Sequence, residues 1–160
     1  MKGKSLLSMT DCKNSKIYTE NTIIVSGYSK TPLYKKLGYK PSLRICVYNP
    51  PENYISLFKD SPDGINIQNL HTEDNEIDII HFFTKSKTNL ISSFSKLASQ
   101  ITKDGVIWIS WPKKSSKVPT DLDGNLVRSI GLSLGLVDIK VAAINDIWSG
   151  LKFVIRKENR

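Results

Sequence analysis

Ile77-Asp78-Ile79-Ile80-His81-Phe82-Phe83 is followed by apolar residues at helical spacing, Leu90, Ile91, Phe94, Leu97, Ala98 and Ile101, and then by a second apolar run, Val106 to Trp111. A strand, a helix of about four turns and another strand in that order close as a parallel pair with a right-handed crossover. This unit commits the chain to an α/β sheet with helices packed on it.

The flanking segments extend the same pattern. Leu43 to Tyr48 is a mostly apolar run bounded by Pro41-Ser42 and Asn49-Pro50-Pro51, which suits an interior strand. Before it, Thr31 and Pro32 read as the N-cap and first residue of a short helix that Gly38 ends. After it, Pro51 to Lys59 reads as a short helix burying Tyr54, Ile55 and Phe58. Ser61-Pro62-Asp63-Gly64 is a turn, and Ile65 to Leu70 a weaker strand. The central helix is expected to end at Lys103-Asp104-Gly105. Asp123 caps a helix from Gly124 to Ile130 that Gly131 stops. Leu136 to Ile144 and Leu151 to Ile155 are close enough to form only an antiparallel hairpin. Residues 1–22 read as a polar tail and 23–160 as a single domain, with Ile23-Ile24-Val25 as a short extended piece. The expected architecture is a three-layer α/β/α, Rossmann-like open sheet, mostly parallel with a C-terminal antiparallel hairpin.

Lysine and arginine number 23 against 15 acidic residues, a net charge of +8 that favours anionic partners such as nucleotides or nucleic acid. The lysines are spread along the chain, so a solvated surface explains most of them. Cys12 and Cys46 sit in a polar segment and an apolar strand, which suits reduced thiols. With no apolar run near the ~20 residues that span a bilayer and no signal-like start, the expectation is a soluble, cytoplasmic protein without membrane contact. His71 and His81 lie at no metal-ligand spacing from either cysteine, and Ser149-Gly150 lacks a nucleophile elbow.

In open α/β sheets ligands bind beyond the carboxyl ends of the strands. That rim gathers Asn49, Thr84-Lys85, Trp111-Pro112-Lys113-Lys114 and a Trp148-Ser149-Gly150 loop. Lys85, Lys113, Lys114 and Lys117 offer charged donors there, and Trp111 or Trp148 a stacking surface for a base. Thr120 and Asp121 supply a base or hydroxyl, or else stabilise the loop before the next helix. Trp108 is assigned to the core. Asp138 and Lys140, two apart on one strand, share a face and pair or point to solvent.

The stations Gly27-Tyr28-Ser29, Thr31-Pro32-Leu33, Lys35-Lys36-Leu37-Gly38, Trp108-x-x-Trp111-Pro112-Lys113-Lys114, Thr120-Asp121-Leu122, Gly135-Leu136-Val137-Asp138-x-Lys140-Val141 and Trp148-Ser149-Gly150-Leu151-Lys152 follow one another over residues 27 to about 155. In this the chain resembles the bacterial domain-of-unknown-function family 3052. The resemblance implies a small cytoplasmic protein laid out like S-adenosylmethionine-dependent methyltransferases, with no activity attached. Two cofactor signatures of that layout are missing. The turn after the first strand, Asn49-Pro50-Pro51-Glu52-Asn53-Tyr54, has no glycine, and Asn69-Leu70 stands where an acidic residue would hold a ribose. Asn49-Pro50-Pro51 also resembles the Asn-Pro-Pro-aromatic motif of adenine methyltransferases, but Glu52 replaces the aromatic, and a helix entry is the preferred reading. The leading expectation is a non-catalytic or degenerate methyltransferase-like domain binding an anionic partner at the rim from Trp111 to Asp121. The alternatives are an S-adenosylmethionine-dependent methyltransferase with an atypical cofactor turn, and a protein-interaction module.

Overall fold

The computed structural model of the chain describes residues 30–160. The polar tail, Ile23-Ile24-Val25, Gly27-Tyr28-Ser29 and Cys12 lie outside the described residues. Six strands form one sheet: β1 (Ile45–Tyr48), β2 (Ile67–Asn69), β3 (Ile77–Phe83), β4 (Ile101–Pro112), β5 (Leu136–Ala143) and β6 (Trp148–Ile155). Their order is β2-β1-β3-β4-β6-β5. The first four pair in parallel, and β6 is antiparallel to both β4 and β5. Three helices accompany them, α1 (Leu33–Leu37), α2 (Lys87–Gln100) and α3 (Gly124–Ser133).

Both faces of the central strands are covered, which is why their sequences are continuous and not alternating. On one face Cys46, Ile80, Phe82, Ile107, Ile109 and Phe153 pack with Leu90, Phe94 and Leu97 of α2 and Val127 of α3. On the other, Ile45, Val47, Ile79, Phe83 and Trp108 pack with Leu37, Tyr39, Tyr54 and Phe58. Trp108 is fully buried, and its Nε1–H donates to the Leu37 carbonyl at 3.1 Å, pinning the end of α1 to the sheet. Among the described residues no helix is long and apolar enough to cross a membrane.

Several local expectations change, each for a definable reason. Pro32 occupies the cap position of α1, with its carbonyl accepting from the Lys35 and Lys36 amides, and no side chain caps the helix. Gly38, at φ +83°, ends α1 as expected. The Pro51–Lys59 helix shrinks to one 3₁₀ turn, Ile55–Phe58; Tyr54 and Phe58 are buried, but Ile55 is 61% exposed. Helix α2 is capped by Ser86, whose side chain accepts from the Asn89 amide, and ends at Gln100, with Ile101 already paired to Ile77 in β4. The expected stop at Lys103-Asp104-Gly105 is instead an irregularity inside β4, where the register shifts and a Cβ on Gly105 would lie 2.8 Å from that of Ile101. Asp123 caps α3 by accepting from the Leu126 amide, but Gly131 is inside the helix. Gly131 is there because the Phe153 ring lies against its Cα, where a side chain would collide. Trp148-Ser149-Gly150 belongs to β6 and not to a loop. A bulge between Asp138 and Lys140 places Asp138 opposite Phe153 and Lys140 opposite Lys152, so the two residues lie on opposite faces of the sheet. Asp138 pairs with Arg128 of α3 at 3.0 Å.

Candidate functional site

At the carboxyl ends of β1 and β3 the chain opens into a cleft of about 740 Å³. It is lined by the turn Asn49–Asn53, by Phe83–Ser86 and Asn89, and by Val118, Ile147 and Trp148. A second hollow of about 400 Å³ lies on the other side of the same turn, between Pro50, Pro51 and Tyr54 and the β2 residues Ile67 and Asn69. A third, of about 290 Å³, runs from Tyr48 and Leu70–Thr72 to Ser92, Lys96 and Gln100 of α2. The segment from Tyr48 to Tyr54 borders all three.

The turn has the backbone conformation usually supplied by glycine, but asparagine supplies it. Asn49 has φ +59° and Asn53 φ +63°, both left-handed, and asparagine is among the few side chains that visit this region routinely. Asn49 Nδ2 also donates to the Phe83 carbonyl at 3.1 Å, tying the end of β1 to the end of β3 across the cleft floor. Asn49 is therefore not the helix cap expected from Asn-Pro-Pro. A search for glycines misses this turn; the available signal was two asparagines bracketing a proline pair directly after an interior strand.

Below the turn runs a buried polar chain that the sequence did not reveal. The Tyr39 and Tyr54 hydroxyls are 2.6 Å apart, Tyr54 Oη is 2.9 Å from His81 Nδ1, and His81 Nε2 is 2.7 Å from Ser110 Oγ. His81 and Ser110 are fully buried, and burial pushes the imidazole down to about 3, so it is neutral. Burial likewise raises both phenols. A neutral imidazole has one donor and one acceptor nitrogen, so it can bond a hydroxyl at each end without charge. The chain links the segment after α1, the end of the turn, β3 and β4.

Of the residues expected at the rim, Asn49, Lys85 and Trp148 border the main cleft. Trp111 does not offer a stacking face: it is 7% exposed and packs in the core under Gly124. Trp148 is equally buried and meets Phe83 edge-on. Lys114 begins the 3₁₀ turn Lys114–Ser116, Lys117 follows it in the left-handed region, and both are exposed outside the cleft lining. Lys113 precedes that turn, with its amide donating to Ile147. Thr120 Oγ1 donates to the Lys85 carbonyl at 2.6 Å, and Asp121 Oδ1 accepts from the Lys87 amide at 2.7 Å, so both fasten the lysine loop to the start of α2. Ser149 is a half-buried β6 residue opposite Trp111.

The donor chemistry discriminates between ligands. A pyrophosphate needs several backbone amides converging from a glycine turn, and Pro50 and Pro51 remove two of them. Among the described residues, what remains around the turn is neutral amide and hydroxyl chemistry from Asn53, Asn69, Asn89 and Thr84, with one ammonium, Lys85, and one carboxylate, Glu52. That set suits a ligand carrying hydroxyls and at most a single charged group better than a polyphosphate. Among the described residues no cluster of His, Cys, Asp and Glu is arranged to hold a metal.

No family model matches the chain, and no curated protein matches it. Among solved structures it is similar to the magnesium protoporphyrin IX methyltransferase of Synechocystis with bound SAH, at TM-score 0.50 and 11% identity over 77% of this chain and 78% of that one. It is also similar to a protein of Thermoplasma acidophilum presumed to be a methyltransferase, at TM-score 0.52 and 11% identity over 87% and 80% of the two chains. Identity at this level speaks to architecture alone, and the architecture is the methyltransferase-like Rossmann α/β fold.

Proposed function

We propose that this chain is an S-adenosylmethionine-dependent methyltransferase whose cofactor turn is built with asparagine. The observation that carries the reading is the left-handed pair Asn49 and Asn53 beneath the main cleft. They give the backbone at the end of β1 the form that a glycine turn provides, at the place where open sheets of this topology take their ligand. This reading is preferred to the non-catalytic anion binder, whose grounds were the +8 charge, the tryptophan and lysine loop and the missing glycine turn. The family resemblance belongs to the same proposal.

Asn69, at the end of β2 in the second hollow, would take ribose hydroxyls, and Lys85, in the main cleft, the amino-acid carboxylate. When bound, the cofactor supplies a methyl group on a sulfonium. Glu52, the one carboxylate lining the main cleft among the described residues, accepts the proton lost by the acceptor. Phe83 and Trp148 exclude water from one wall.

Calorimetric titration of the purified chain with S-adenosylmethionine and S-adenosylhomocysteine tests this. Saturable binding with about one site is expected, weakened roughly tenfold (~1.4 kcal/mol) in Lys85→Ala and unchanged in Lys114→Ala. No binding of either ligand by folded protein overturns the reading.

A further inference from the structure

Three lysines converge on the face of the sheet that α1 covers. Lys140 and Lys152 are direct cross-strand partners in the β5–β6 hairpin. Lys36 of α1 joins them: its Nζ lies 3.5 Å from the Ala143 carbonyl, and Lys140 Nζ donates to the Lys36 carbonyl at 3.2 Å. Among the described residues the ion pairs are Arg44–Asp74, Arg128–Asp138 and Arg160–Asp104, and none involves this cluster. Burial, then Lys140 and Lys113, holds Lys36 below the ordinary lysine value; burial, then Lys140, does the same to Lys152. Like charges directly opposite on adjacent strands are unfavourable. The arrangement also depends on a specific device, since without the bulge before Lys140 the side chain would fall on the other face. The bulge thus creates a repulsive contact that an unbroken hairpin would avoid.

We infer that Lys36, Lys140 and Lys152 form a docking strip for the phosphate backbone of a single-stranded nucleic acid, which would make nucleic acid the methyl acceptor. The identity of the acceptor rests on the proposed function; the strip does not. Phosphate oxygens neutralise several adjacent ammonium groups at once, and a flexible single strand conforms to a sheet face more readily than a duplex groove does.

Fluorescence anisotropy with a labelled single-stranded RNA and DNA, across a salt series, tests the strip on the full chain. Binding is expected at low salt. In Lys140→Gln/Lys152→Gln, the slope of log affinity against log salt should fall in magnitude by about 1.4, two contacts at ~0.7 each, while Lys103→Gln/Lys157→Gln leaves it unchanged. The first variant should keep or raise the thermal midpoint, because it removes a like-charge pair, and should bind S-adenosylhomocysteine as wild type does. An unchanged slope, no binding at low salt, or equal binding of polyglutamate overturns the inference. A marked loss of stability in the variant also overturns it, by showing that the lysines are structural ties between α1 and β5. Cofactor binding without nucleic-acid binding would sink the strip alone, and the reverse would sink the proposed function alone.

Discussion

The Tyr54 hydroxyl sits 2.9 Å from Nδ1 of His81, joining the residue after the candidate cofactor turn to the middle of the largely buried strand β3. Tyr54 is 3% exposed and also bonds Tyr39 at 2.6 Å, so its ring and its hydroxyl are both fixed. The cleft floor therefore has a rigid support that reaches through His81 to Ser110 on β4.

Removing that hydroxyl should be costly. Tyr54→Phe keeps the apolar packing against Phe58 and Phe83 but leaves a buried imidazole nitrogen and the Tyr39 hydroxyl short of a partner. Tyr39 Oη is already 3.4 Å from His81 Nδ1 and can take up part of the loss. A destabilisation of about 1–2 kcal/mol is expected by urea unfolding. A change smaller than experimental error would show that the hydroxyl is not a support.

His81 makes stability depend on pH in a direction set by its burial. The imidazole titrates near its ordinary value when unfolded but only at about 3 when folded, so between those values the unfolded chain binds the extra proton. Stability attributable to His81 is complete above the ordinary value and is lost as pH falls, at up to about 1.4 kcal/mol per pH unit. His81→Gln, which can still bond both hydroxyls, removes this slope. The measurement is the difference in unfolding free energy between wild type and variant from pH 7 to pH 4, which cancels the carboxylates they share. Parallel curves would mean that His81 is not buried as a neutral ring.

The strands and the topology were legible because burial on both faces demands continuous apolar runs, and Ile77–Phe83 was read to the residue. What failed depended on contacts between distant residues. Gly131 reads locally as a stop, and only Phe153, on a strand formed later in the chain, explains a glycine inside a helix. Asp138 and Lys140 read as one face because strand periodicity contains no sign of a bulge. Trp111 read as a rim residue by position, but α3 closes over it and takes the ring into the core. Topology alone brings Asn49, Lys85 and Trp148 to one cleft, whereas the Tyr39–Tyr54–His81–Ser110 chain joins four separated segments and has no local signature.

Gly131→Ala separates these two kinds of information. In an exposed helix interior the substitution gains about 1 kcal/mol through helix propensity. Here the added methyl meets the fully buried Phe153 ring, so a net loss of about 1–3 kcal/mol is expected from overpacking. Combining it with Phe153→Leu should cost less than the sum of the two single changes, because the smaller side chain makes room. Thermal or urea unfolding of the four proteins reads the coupling, and strict additivity would show that the two residues do not compete for space.

Asn49 and Asn53 allow the turn to be tested as a piece of backbone. Both are left-handed, a conformation costing most residues about 1–2 kcal/mol and glycine almost nothing. At Asn53 conformation is the only demand the turn makes, so Asn53→Gly should match wild type within about 0.5 kcal/mol and Asn53→Ala should lose about 1. Asn49 carries the additional bond to the Phe83 carbonyl, so Asn49→Gly should lose about 1 kcal/mol and Asn49→Ala about 2. The same series reports on the ligand. If the turn holds an adenosyl cofactor, saturating S-adenosylhomocysteine should raise the midpoint of wild type and both glycine variants, and raise that of Asn49→Ala least. If the four variants lose stability in the expected order but the ligand shifts none of them, the asparagines shape a turn that has no cofactor to hold.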